Sequence, residues 1–95
     1  MINGSAKEFI SGLYHGDERF FIYADKKYFI QGICGGLGNQ KPMLELYILD
    51  EAENDFEWRA VSEDNNYPVE EFETAQIFDG KSFWEIESEI EWVDE

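Results

Sequence analysis

Cysteine and histidine each occur once in this 95-residue chain, as Cys34 and His15. A single thiol excludes an intramolecular disulfide and any metal site built from thiolates, and it suits a reducing compartment. No apolar run approaches the ~20 residues that span a bilayer. No basic segment followed by an apolar one opens the chain, so no signal peptide is expected. Bases are scarce as well: residues 50–95 hold two, Arg59 and Lys81, against seventeen acids. Residues 1–49 balance five acids with five bases, so the whole net charge of −15 belongs to the second half. Such a surface repels nucleic acid and lipid headgroups and attracts basic surfaces. The expectation is a cytoplasmic protein with no membrane contact and no direct nucleic-acid contact, whose partner is a basic protein.

Apolar material is plentiful. Hydrophobic residues make up 43% of the chain and aromatics 17%, whereas disordered chains are poor in both aromatic and β-branched residues. Ninety-five residues suffice for one modest core and not for two. The chain therefore reads as a single folded domain over 1–95.

Ser5 followed by Glu8 is a capping box, and behind it Ala6, Phe9, Ile10 and Leu13 recur at helical spacing. This predicts a helix over about 5–14, closed by Gly16. Arg19 to Tyr23 and Tyr28 to Ile33 are aromatic and β-branched and flank the polar stretch 24–27, which predicts a β-hairpin. Residues 35–42 read as a loop, and strands follow at 43–49 and 56–61. In the latter, Phe56, Trp58 and Ala60 alternate with Glu57, Arg59 and Val61, so the three former residues are expected on one buried face. Pro68 with Glu70 and Glu71 opens a second helix, with Val69 and Phe72 inward. The segment 83–92 fits two templates. Trp84, Ile86, Ile90 and Trp92 alternate with acids as in a strand, while Ser82 and Glu85 form another capping box ahead of a helical stripe at Phe83, Ile86, Ile90 and Val93.

The stretch Phe21 to Ile30 resembles an F-x-Y-x-x-K-K-Y-x-I hairpin. Asp79-Gly80-Lys81-Ser82 with Glu85-Ile86 resembles a D-G-K-S-x-x-E-I closing motif. On these motifs and the opening helix, the chain resembles a loose group of small uncharacterised acidic proteins from Firmicutes and their phages and mobile elements. Those relatives usually carry an Asn-Gly turn where Ala24-Asp25 stands here. The resemblance implies a helix after Asp79-Gly80 and brings no functional residue with it. The expected fold is α+β: an N-terminal helix, a four-stranded antiparallel meander and two C-terminal helices packed on one face.

Several chemistries fail on spacing. Gly35-Gly36-Leu37-Gly38 matches neither a P-loop nor a dinucleotide fingerprint. Asp79-Gly80-Lys81-Ser82 has a Gly-Lys-Ser but lacks the earlier glycine, since Gln76 stands there. Nothing in the sequence brings His15 and Cys34 together as a nucleophilic pair, which would also need an orienting group. The acidic run 50–55 invites a calcium-loop reading, yet Ala52 falls on a ligand position and Asp55 where glycine is needed. No catalytic residue, cofactor or metal is expected.

What remains is the acidic half itself. Acids two apart on a strand lie roughly 6.6–6.8 Å apart, and those three or four apart on a helix about 5–6 Å. Both approach the spacing of successive phosphates, so an ordered acidic face can compete for a phosphate-binding groove. The expected function is a non-enzymatic inhibitor of a basic, nucleic-acid-handling protein, acting by nucleic-acid mimicry in the manner of anti-CRISPR or anti-restriction proteins. The expected contact residues are Asp50, Glu51, Glu53 and Asp55, with Glu85, Glu89, Glu91, Asp94 and Glu95. Two other readings use the same features: a toxin-neutralising immunity protein, or a small structural or regulatory subunit in which the acidity is incidental.

Overall fold

The computed structural model describes residues 1–33, 41–49, 54–64 and 66–93, with Asn54 and Asp55 described through their backbone alone. Helix α1 spans Ala6–Leu13, and the Ser5 hydroxyl accepts the Glu8 N–H at 3.4 Å. Strands β1 (Arg19–Tyr23) and β2 (Lys26–Ile33) form the expected hairpin. Its turn is only two residues long, and both Ala24 and Asp25 lie in the left-handed region, at φ 52° and 64°. That backbone gives the turn the twist of the strands it joins. Strands β3 (Met43–Leu49) and β4 (Asn54–Val61) extend the meander, and helices α2 (Val69–Thr74) and α3 (Phe83–Ile86) follow.

The class is α+β, and the sheet has five strands instead of four. The expected C-terminal helix is short: after α3 a 3₁₀ turn covers Glu87–Glu89, and β5 (Glu91–Val93) pairs antiparallel with β1. The strand order is β4-β3-β2-β1-β5. Each template for this segment holds over a different stretch. The Ser82–Glu85 box starts a helix, the Ile90 N–H closes on the Glu87 carbonyl at 3.2 Å, and the chain then extends. Trp92 donates its backbone N–H to Ile2 at 2.9 Å, and Ile2 donates to Ile90 at 2.8 Å. The N-terminal residues thus flank the outer edge of β5, and sheet pairing, not local propensity, fixes the last strand.

All three helices lie on one face of the sheet. Phe9, Ile10 and Leu13 from α1, Val69 and Phe72 from α2, and Phe83 and Ile86 from α3 are buried with Phe21, Tyr28, Ile30, Leu44 and Leu46 from the strands. Phe9 is the hub: its ring meets Phe21 edge-on at 5.6 Å, stacks on Phe83 at 5.7 Å and meets Trp92 edge-on at 5.5 Å. Burying these rings supplies most of the driving force for so small a domain.

One strand departs from its pattern. Leu46 pairs with Trp58 while Tyr47 pairs with Phe56, a bulge that leaves Glu57 as the extra residue in β4. Two residues then oppose one, and the alternation of faces shifts. Trp58 packs against Phe72 in the core at 5.7 Å. Phe56 is turned to the other face and is 51% exposed, which corrects the expectation that Phe56, Trp58 and Ala60 share a buried face.

Candidate functional site

The acids expected to form one contact surface are not all gathered in one place. Asp50, Glu51, Glu53, Asp94 and Glu95 lie outside the described residues, as do Cys34 and the loop glycines at 35, 36 and 38. The backbone of Asp55 pairs with Ile48 in β4. Glu85 and Glu89 are exposed on α3 and the 3₁₀ turn after it. Glu85 is engaged locally: its Oε1 accepts the Ser82 N–H at 3.0 Å and the Ser82 hydroxyl at 3.1 Å, which hold its carboxyl below the usual glutamate range. Glu91 stands apart from both. It pairs with Ile22, one residue out of phase with the core pair Phe21–Trp92, so it projects from the helix-free face. There it accepts the Asn3 side-chain amide at 3.1 Å.

A denser acidic group forms between the end of α1, the segment after β4 and the start of α2. Glu63, Asp64, Glu70 and Glu71 line a cleft of about 480 Å³ together with Tyr14, Ser62, Asn66, Tyr67 and Pro68. Local bonding builds its rim. Asp64 Oδ1 accepts the Ser62 hydroxyl at 2.8 Å and the Asn66 N–H at 2.8 Å, and the Asp64 N–H returns to Ser62 Oγ at 3.0 Å. The Asn66 N–H, followed by the Ser62 hydroxyl, lowers the Asp64 pKa below its usual value. Burial raises the pKa of Tyr14, with the nearby Glu73 and Glu70 carboxylates adding to it. Glu73 is raised by its own burial, against which a hydrogen bond from Trp84 acts.

Close packing fixes the aromatic wall. A Cβ on Gly16, itself at φ 76°, would stand 2.5 Å from the Tyr67 ring, and one on Gly32 would stand 2.6 Å from the same ring. Only glycine at both places lets Tyr67 lie between the end of α1 and β2. Carboxylates and the faces of aromatic rings are the groups that hold a guanidinium or ammonium ion. Among the described residues, no group of three or more His, Cys, Asp or Glu side chains could hold a metal ion, and no helix is long and apolar enough to cross a membrane.

Sequence reasoning missed this cleft because its acids come from the unpatterned stretch 62–67 and the head of α2. The signal available was Ser62-x-Asp64-x-Asn66, the residue types of an Asx turn. No family model, curated protein or solved structure matches the chain.

Proposed function

We propose that this chain is a non-enzymatic binding protein whose acidic, helix-bearing side engages a basic protein. One observation carries the reading: among the described residues, acids are concentrated on the helical side of the sheet and lead into a cleft. Glu70, Glu71, Glu73, Glu85, Glu87 and Glu89 all belong to α2, α3 and the 3₁₀ turn, and Lys81 is the one base from residue 62 onward. The cleft beside them takes a single Lys or Arg side chain between carboxylates and tyrosine rings. Charges of this kind set association rate and register more than affinity.

The finer reading is that the partner handles nucleic acid and that the acids occupy its phosphate-binding groove. Glu85 and Glu89, both exposed on α3 and the 3₁₀ turn after it, are the described acids that this reading uses. The test is a pull-down from nuclease-treated lysate of the source cells, eluted along a salt gradient and identified by mass spectrometry. A basic DNA- or RNA-handling protein should elute at moderate salt. It should be lost when Glu63, Glu70 and Glu71 are reversed to Lys. Capture that survives high salt and those reversals would overturn the reading.

A further inference from the structure

The face of the sheet that carries no helix bears a continuous apolar row. The strand register places Val93, Phe20, Phe29, Tyr47 and Phe56 opposite one another across all five strands, from β5 to β4. Their rings make contact: Phe20 and Phe29 have centroids 4.8 Å apart, Phe29 and Tyr47 6.4 Å, Tyr47 and Phe56 5.8 Å. Ile22 and Leu49 flank the row on one side; Met43 and Val61 lie toward the other end of the strands. Five strands at about 4.8 Å spacing and about 18 Å of strand give a plane of roughly 450 Å². Phe56 and Val61 are its most exposed members, the other rings being half-buried, and an apolar face of this size on a small protein is often a functional surface.

The charge on this face identifies what covers it. Its strand positions carry Lys27 and Arg59 against Glu45 and Glu91, a net charge of zero in a chain of −15. A basic partner gains no electrostatic attraction here. Among the described residues, a second copy of the chain meets a balanced face here, unlike the acid-bearing helical side. Stacked face to face, two sheets lie about 10 Å apart, with the acidic helices on the two outer sides. Their separation then exceeds the ~8 Å Debye length at physiological salt.

We infer that the helix-free face of the sheet is a homodimer interface, in which two copies stack sheet on sheet about a two-fold axis. Such an interface is isologous. Because β2 is the middle strand, Phe29 of one copy lies against Phe29 of the other at its centre. The footprint, roughly 900 Å² over both copies, is at the low end for biological contacts, so the dimer is weak, with a Kd on the order of 10 µM.

Sedimentation equilibrium tests this from about 1 µM to about 500 µM, a range that brackets the expected Kd. The mass should rise from 11.1 kDa toward twice that value. Raising salt from low ionic strength to the physiological range should tighten the dimer, because it screens the long-range repulsion between two copies of −15 each, whereas it weakens any acid-to-base contact. Phe56→Glu, at an exposed position that the fold does not need, should weaken the dimer at least tenfold with an unchanged circular dichroism spectrum. Trp84→Glu, on the helical side, should leave it intact. A monomer at every concentration would overturn the inference. So would a dimer that survives both Phe56→Glu and Phe29→Glu, or one abolished by Trp84→Glu.

Discussion

Arg59 clasps Glu45 across the β3–β4 pair: its Nε donates to Oε2 at 2.7 Å, and Tyr47 donates its hydroxyl to Oε1 at 3.0 Å. Glu45 is 5% exposed, while the Arg59 side chain is half in water, over the Phe56 ring at 5.0 Å. The carboxylate is therefore the member of the pair that depends on the other. Arg59→Ala should destabilise the fold by roughly 1–3 kcal/mol, since a buried charge loses its strongest donor. Replacing Arg59 and Glu45 together by Met and Leu should recover most of that loss. Urea unfolding of the three proteins measures both.

Gly32 and Gly80 should respond very differently to alanine. At Gly32 the new Cβ meets the Gly16 backbone at 2.5 Å as well as the Tyr67 ring. The backbone must move, at a cost of about 1–3 kcal/mol. At Gly80 the Cβ meets nothing within 4 Å and only the left-handed φ of 81° opposes it, which costs about 1 kcal/mol. Thermal melts rank the two, and Tyr67 ring shifts in NMR spectra should change for Gly32→Ala alone.

Acid should erode stability through two carboxylates. Asp64 and Glu85 titrate below their ordinary values because N–H and O–H donors hold the charged form. The unfolded chain then takes up their protons first, so stability falls as pH drops from the ordinary carboxylate range through the folded values. Glu73 acts in the opposite sense. Burial raises it, so its contribution is present at low pH and disappears as pH rises through its folded value. The melting temperature should decline as pH falls from about 6 to about 2, less steeply in Glu85→Gln.

Alkali should act through tyrosine. Tyr14, Tyr28 and Tyr47 all sit above the ordinary 10.0, with burial the leading cause in each. The Tyr28 shift grows from Glu57 and Asp79, and that of Tyr47 from its bond to Glu45. Unfolded tyrosines ionise first, so stability should fall as pH climbs from 10.0 toward the folded values. Tyrosinate absorbance should show part of the signal titrating late, and Tyr28→Phe should remove its share.

Local patterning made the early elements legible. The Ser5 cap with Phe9, Ile10 and Leu13 one turn apart specifies α1. The polar stretch 24–27 between aromatic runs signals the β1–β2 hairpin, whose turn is shorter than that stretch because β2 already begins at Lys26. Phe56 escaped because alternation assumes an unbroken ladder. The bulge at Glu57 is set by how β4 meets β3, not by β4 alone. The last segment escaped for a related reason: Glu91–Val93 becomes a strand only because β1 and Ile2 lie on either side of it. Of the candidate site, Glu85 and Glu89 stand on the helical layer as acidic surface, whereas the cleft depends on the segment 62–71 meeting the end of α1 and β2 through Tyr67. No spacing in the sequence encodes that meeting.

Among the described residues, unbalanced acid lies on the helical side while the bare side of the sheet is neutral, which makes the molecule two-sided in its behaviour at any charged boundary. Near a cationic surface it carries a torque as well as an attraction, and it settles helices down with its apolar row pointing away. On an anion-exchange matrix the bound layer would present that row outward to the solution. A column loaded densely enough should then hold a second layer by stacking, and release it in low salt before the first.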